Sequence, residues 1–251
     1  FMINLLKLEF FKLRKQKIFA VLFLAVIIIA AFRALSPDSI ETAGGALSSG
    51  KASYAFAYQD LFMVGISAVF AGFFIGSDFA GRTIQLSLSH GHSRMNVILS
   101  KAIVFLIGSS ILMVLYPLTV SFISTLRFGW GEAFTLSSML YVLRVAALGI
   151  VLNIGTASAF VLIAFLCRDV SKTLCISLAY PILFYAAAFR IGDAVPAAGR
   201  IFEYTTQMQL VHIAVDTIQP SAIMTIFLSA GISVSISLLL NYYLFSKAEL
   251  K

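Results

Sequence analysis

The sequence predicts an all-α membrane protein with six transmembrane helices, an N-terminal amphipathic helix in the membrane interface and a short cytoplasmic helix between spans 2 and 3. Three observations support this. Of the 251 residues, 60% are hydrophobic and 12% are charged, whereas a soluble domain carries about 25% charged residues. The apolar runs reach the roughly 20 residues that a helix needs to cross a bilayer. They lack the alternation of transmembrane barrel strands, so a barrel is excluded.

The N-terminal stretch, residues 2–17, has its apolar residues at helical spacing and therefore on one stripe: Ile3, Leu6, Phe10 and Leu13. It also holds five basic residues: Lys7, Lys12, Arg14, Lys15 and Lys17. A basic amphipathic helix lying in the membrane interface fits this pattern, and the alternative is a basic flank of the first span. We expect the interfacial helix.

The apolar runs predict one six-span domain over residues 1–251, with spans at about 18–35, 54–76, 101–125, 136–167, 173–190 and 221–245. The connections between them include a polar loop at 77–100 and a mixed external segment at 191–220. Two rows of small residues repeat every four positions: Ala68, Gly72, Gly76 in span 2 and Ser229, Ser233, Ser237 in span 6. This spacing lets a neighbouring helix approach closely, so both rows are predicted to pack against helices.

Charge predicts the orientation of the chain. Six spans place both termini on one side, together with the 77–101 and 168–172 connections. That side holds 12 Lys and Arg residues against four acids, whereas the other side holds six against seven. Basic residues near span ends remain in the cytoplasm. We therefore expect a multi-pass protein of the cytoplasmic membrane with cytoplasmic termini. In a soluble protein the net charge of +7 could suggest nucleic acid, but here the location of the basic residues beside the spans matters more, and we expect no nucleic-acid partner.

The polar loop 77–100 contains a second predicted helix, SDFAGRTIQLSLS, with Ser77 or Asp78 as its N-cap and Gly91 as its end. Within it, Ile84 and Leu88 share one face.

No enzymatic motif accompanies this layout. The sequence lacks the phosphate-binding G-x-x-x-x-G-K-[ST] loop, the H-E-x-x-H zinc motif and the G-x-S-x-G elbow. His90 and His92 lie two residues apart, but zinc needs about four ligands, so we expect no metal. The chain is therefore not expected to be an enzyme.

Ionisable and strongly polar residues within spans are candidates for a substrate path, because burying them in lipid is costly. Three residues qualify: Asp60, Arg144 and Asn153. The plainer alternatives are snorkelling of the first two to the interface and a helix-to-helix hydrogen bond for Asn153.

Three features together resemble the permease subunit of a bacterial type-2 ABC exporter. The opening LLKLEFFKLRKQKIF is similar to the basic elbow helix of that family, and YYLFSKAELK is similar to its final span and tail. The family's loop after span 2 carries an acid, then Gly-Thr-Ile/Leu, then Ser-Arg and a Lys. Here these positions are Asp78, Gly81–Arg82–Thr83–Ile84 with Arg82 inserted, Ser93–Arg94 and Lys101.

The resemblance implies that loop 77–100 forms a coupling helix seated in a groove of a separate ABC ATPase. The residues expected to couple to it are Asp78, Gly81, Arg82, Thr83, Ile84, Leu88, Ser93 and Arg94. Among them, Ile84 and Leu88 would form an apolar knob, with Arg82 and Arg94 at its rim. It also implies two ATPase subunits, which bind ATP and Mg, and a second permease chain, identical or homologous; this chain needs no cofactor.

The chain resembles the lantibiotic-immunity and bacitracin-resistance permeases in lacking a large external domain. This predicts export of an amphiphilic substrate: an antimicrobial peptide, a drug or a lipid. Two other functions remain as alternatives, a secondary transporter and a membrane sensor or scaffold that transports nothing.

Overall fold

The computed structural model describes residues 2–36 and 49–247. Regular structure in this part of the chain is entirely helical. The helices are α1 Met2–Lys15, α2 Lys17–Leu35, α3 Gly50–Ala57, α4 Leu61–Ala80, α5 Thr83–Ser89, α6 Arg94–Phe128, α7 Leu136–Cys167, α8 Val170–Ala194, α9 Pro196–Glu203, α10 Thr206–His212 and α11 Pro220–Lys247. Most of the predicted loop after span 1 and the last residues of the predicted basic tail lie outside the described residues.

Six of these helices are long and apolar enough to cross a membrane: α2, α4, α6, α7, α8 and α11. The predicted all-α fold with six spans is therefore confirmed. The fourth predicted span coincides with α7, and spans 1, 5 and 6 differ from α2, α8 and α11 by a few residues at their ends.

The second span differs from its prediction. Residues 54–57 belong to the separate helix α3, and α4 starts only at Leu61. The cause is Asp60, whose extended backbone breaks the helix and whose carboxylate accepts the N–H of Phe62 at 3.0 Å as an N-cap. The third span is longer than predicted, because the Ser93 hydroxyl caps α6 by accepting the N–H of Asn96 at 3.3 Å.

The core of the bundle lies between α4, α6 and α7. The rings of Phe70 and Phe105 stack with centroids 5.2 Å apart, and Phe74 joins them at 5.1 Å from Phe70. About two thirds of the most apolar windows of α4 and α6 are buried (67%), against 17% in α2 and α8 and 22% in α11. Spans α2, α8 and α11 therefore leave most of their surface to lipid or to another chain.

The two ends of the bundle carry different elements. One end carries α1, α5 and the turn between α7 and α8, and we call it the basic end. The opposite end carries α3 and the segment between α8 and α11, which folds into the short helices α9 and α10. Pro196 stands at the start of α9, where its missing N–H costs nothing.

Candidate functional site

The helix α5 follows α4 after a break at Gly81–Arg82, where the backbone of Arg82 is left-handed with φ 54°. The predicted start at Ser77 or Asp78 is wrong, because both residues lie in the last turn of α4. The predicted end is close to the observed one: the helix stops at Ser89, and Gly91 follows in a left-handed conformation with φ 83°.

The two faces of α5 have different surroundings. Ile84 is completely buried and Leu88 packs half-buried against the bundle core, whereas Leu86 is 59% exposed. Arg82 and Thr83 are exposed as well. The sequence places Ile84 and Leu88 on one face, but this face turns toward the bundle, so the predicted apolar knob is corrected: the outward apolar residue is Leu86.

Four charged side chains meet beneath α5, and we call them the ion cluster: Glu9 and Lys12 of α1, Asp78 of α4 and Lys101 of α6. The Lys101 ammonium donates to Glu9 Oε1 at 2.6 Å and to Asp78 Oδ2. The Lys12 ammonium donates to Asp78 Oδ1 at 2.5 Å. The charges of the two carboxylates and the two ammonium groups cancel, so the ion cluster joins three helices without net charge.

The ion cluster is buried. The side chains of Glu9, Asp78 and Lys101 are at most 5% exposed, and that of Lys12 is 27% exposed. Burial lowers the pKa of the Lys12 ammonium, and the attraction of Asp78 opposes this only in part. Asp78 was predicted among the residues that couple to the ATPase. Its carboxylate lies inside the bundle rather than on the surface.

One hydrogen bond connects α5 to the ion cluster. The Thr83 hydroxyl, at the first residue of α5, donates to Asp78 Oδ1 at 3.0 Å. Glu9 is a partner in this arrangement that was not predicted from the sequence. The available signal was its position midway between Leu5 and Leu13, since all three are buried on one face of α1.

A π-helical turn at Gly72–Gly76 lies directly before the ion cluster. Such turns widen the helix and release carbonyl groups from regular pairing. Here the Phe73 carbonyl accepts the Gln16 side-chain amide at 3.1 Å, and the Phe74 carbonyl accepts the Lys12 ammonium at 3.0 Å. Both donors come from the α1 side, so the π turn is a second attachment point between α1 and α4.

The small-residue row of span 2 lies against α8. A Cβ atom on Gly72 would stand 2.6 Å from Leu174 Cδ2, and one on Gly76 would stand 3.1 Å from the Val170 Cα. Ala68, the third member, is fully buried. The close approach of α8 at this point depends on the missing side chains.

The serine row of span 6 faces α7 with two of its three members. The Ser158 hydroxyl donates to Ser237 Oγ at 3.1 Å and also approaches the Ser233 carbonyl at 3.4 Å. Ser229 instead donates to the Ile226 carbonyl of its own helix at 3.0 Å.

A family model described as "ABC-2 family transporter protein" matches residues 5–185, which is more than half of the chain. The chain belongs to the ABC-2 transporter family. The match covers α1, the ion cluster, α5 and the first four spans. No curated protein matches the chain.

In this ABC-2 membrane protein, the candidate Asn153 lies in a polar cluster between spans. Its amide nitrogen donates to Ser109 Oγ at 3.1 Å and to Ser110 Oγ at 3.3 Å. Ser67 of α4 contacts Ser109 at 2.8 Å. Asn153 thus makes the helix-to-helix hydrogen bonds that the sequence offered as its alternative role, and all these groups are buried.

The candidates Asp60 and Arg144 lie at the opposite end of the bundle. Besides capping α4, Asp60 accepts the Tyr116 hydroxyl at 2.6 Å and lies 3.8 Å from Arg33. Asp60, which was predicted to lie within span 2, therefore stands at the start of α4. Arg144 does lie two turns into α7, and its guanidinium donates to backbone carbonyls in the segment before α11, including that of Asp216 at 2.9 Å.

Proposed function

We propose that this chain is the permease subunit of an ATP-driven exporter and that α5 receives the motion of a separate ATPase. The observation that carries the proposal is the construction of α5. Its outer face offers Leu86 beside Arg82 and Thr83, and its first residue is hydrogen-bonded to a buried ion cluster. In protein interfaces, an apolar anchor that becomes buried in the complex is typically ringed by polar contacts.

The orientation proposed here places the basic end in the cytoplasm. It rests on the 12 of 18 Lys and Arg residues that this end and the termini carry, since basic residues flanking spans stay on the cytoplasmic side. An ATPase in the cytoplasm would then meet α5 directly. Ser93 and Arg94 follow α5 at the start of α6, where Ser93 is exposed and Arg94 half-buried, and they complete the proposed contact surface.

Movement of α5 would reach three helices through the ion cluster. The Thr83 hydroxyl holds Asp78, and Asp78 holds both lysines, of which Lys101 also holds Glu9. A shift of α5 that carries Asp78 with it therefore cannot leave α1 and α6 behind without separating buried charges, which is strongly unfavourable. We infer that Asp78 acts as a positioning residue that transmits force rather than as a contact to the ATPase.

The chain contains no nucleotide-binding motif, so ATP and Mg are assigned to the partner. We propose a unit of two ATPase chains and two permease chains, identical or homologous. The exposed surfaces of α8 and α11 support a permease partner, because a far smaller share of these spans is buried than of α4 and α6.

An amphiphilic substrate is proposed, of the antimicrobial peptide, drug or lipid class. Two open apolar grooves of about 530 and 490 Å³ support this, since both lie along α6 and share Leu118 in their walls. Apolar cavities of several hundred Å³ accommodate groups of drug or side-chain size.

The test is Leu86→Asp in the full chain, coexpressed with its ATPase. We expect loss of ATPase co-purification and of substrate-stimulated ATP hydrolysis, because a carboxylate replaces the apolar centre of the contact. Ser171→Asp is the matched control: Ser171 is also exposed at the basic end, and the change adds the same charge. Retention of the ATPase together with normal export by Leu86→Asp would refute the role of α5.

A further inference from the structure

The helix α1 has two faces of opposite character. Leu5, Glu9 and Leu13 are one turn apart and buried against the bundle. On the other side, four exposed residues follow the helical spacing of positions i, i+4, i+7 and i+8 and therefore share a face: Lys7, Phe11, Arg14 and Lys15. We call this the outward face of α1.

The outward face is positively charged, and no acid in the described part of the chain pairs with it. Lys17, exposed at the start of α2, adds a fourth cation to Lys7, Arg14 and Lys15. The single acid of residues 1–36 is Glu9, and Glu9 is enclosed in the ion cluster. None of these four cations forms an ion pair with an acid in residues 2–36 or 49–247.

Large apolar side chains lie among these cations. Phe11 is 65% exposed and Leu8 is 58% exposed. Exposed apolar residues continue beyond α1 into α2, as at Val21 and Leu24, and α2 spans the membrane. The outward face therefore lies beside the level at which the hydrocarbon of the bilayer ends and the headgroups begin. Apolar rings can insert there while long basic side chains extend to the phosphates.

We propose that the outward face of α1 binds anionic phospholipid headgroups in the leaflet at the basic end. Its cations contact the headgroup phosphates, and Phe11 and Leu8 insert between the acyl chains. The proposal is independent of the ATPase. It commits to lipid rather than to an acidic protein surface because the exposed apolar residues are continuous with the lipid-facing side of α2.

The test uses the full chain in nanodiscs of mixed phosphatidylcholine and phosphatidylglycerol. The preference of the protein for spin-labelled phosphatidylglycerol over spin-labelled phosphatidylcholine is measured by electron paramagnetic resonance. Each basic residue removed from the outward face is expected to lower this preference by about fivefold at low salt. We expect this loss for the double variant Arg14→Gln/Lys15→Gln. If the double variant fails to insert into nanodiscs, the same loss is expected for the single change Lys7→Gln.

The matched control is Arg190→Gln/Arg200→Gln, which removes one exposed arginine from α8 and one from α9, both at the opposite end. Because both leaflets of the nanodisc contain phosphatidylglycerol, this control measures the effect of net charge alone. An equal loss in the control would overturn the proposal, as would an unchanged preference in Arg14→Gln/Lys15→Gln. An unchanged preference combined with loss of ATPase co-purification would assign the outward face to the ATPase instead.

Discussion

The two ends of the bundle are held together by different kinds of contact. At the basic end, the ion cluster joins α1, α4 and α6 through charged side chains that are almost fully enclosed. At the opposite end, Lys51 forms ion pairs with the exposed acids Glu132 at 3.0 Å and Asp216 at 2.7 Å. The other basic contacts there include guanidinium groups donating to backbone carbonyls, such as Arg127 to Ala34 at 2.6 Å.

This difference determines how each end responds to damage. Water cannot solvate a buried ion that has lost its partner. Removing one charged group of the ion cluster should therefore strongly destabilise the basic end. An exposed ion pair that is broken is replaced by hydration, so the opposite end should tolerate such a loss well. The end that we propose to receive the motion of the ATPase is thus the one with the stiffer attachment.

The largest effect is expected for Asp78→Asn. It leaves two lysines, Lys12 and Lys101, without their shared carboxylate in a buried site, at a cost of about 3–5 kcal/mol. Thermal unfolding in detergent measures it. Asp169→Asn is the control with the same chemical change: this side chain caps α8 by accepting the N–H of Lys172 at 2.9 Å, and Asn caps a helix equally well. Equal unfolding temperatures for the two variants would show that the ion cluster contributes little.

An intermediate effect is expected for Gly72→Leu. A Cβ atom there would stand 2.6 Å from Leu174 Cδ2, so the Leu174 side chain or α8 itself must shift, at about 1–3 kcal/mol for an overpacked site. Gly231→Leu is the matched control, because a Cβ atom on Gly231 meets nothing within 4 Å. If Gly72→Leu unfolds like Gly231→Leu, then α8 adjusts at no cost and the small-residue row is not needed for packing.

The smallest effect is expected for Lys51→Met at the opposite end. Its acid partners are 52% and 72% exposed, and exposed ion pairs contribute about 0–1 kcal/mol. Added salt should reduce even this difference between Lys51→Met and the unmodified chain, whereas it should leave the penalty of Asp78→Asn nearly unchanged, because buried pairs are screened little. A penalty as large as that of Asp78→Asn would remove the distinction between the two ends.

Much of the fold could be predicted from the sequence because long apolar runs have few alternatives to spanning a bilayer. The exception at the second span is instructive. Gln59 and Asp60 are the only strongly polar residues between Tyr54 and Gly76, and an average of hydropathy over a whole span does not register so short an interruption. The break could be predicted only from the chemistry of Asp60, because its short carboxylate is well suited to capping a helix.

The candidate site was predicted less completely than the fold, for two physical reasons. The amphipathic pattern of α5 shows that Ile84 and Leu88 share a face, but a pattern cannot reveal whether that face meets the bundle or a partner. The ion cluster joins Glu9, Asp78 and Lys101, which are far apart in the chain, so their contact depends on how three helices pack. Only the isolated acid on the apolar side of α1 indicated a buried partner.

The π turn at Gly72–Gly76 has a consequence for the rotational phase of α4. A π turn contains one residue more than an α turn, and each residue of an α-helix rotates the chain by about 100°. Everything after Gly76 is therefore turned by about that angle relative to an uninterrupted helix. With a regular α turn in its place, the Asp78 carboxylate would point away from Lys12 and Lys101. The extra residue therefore determines the direction in which α4 presents the Asp78 carboxylate, which is toward the two lysines.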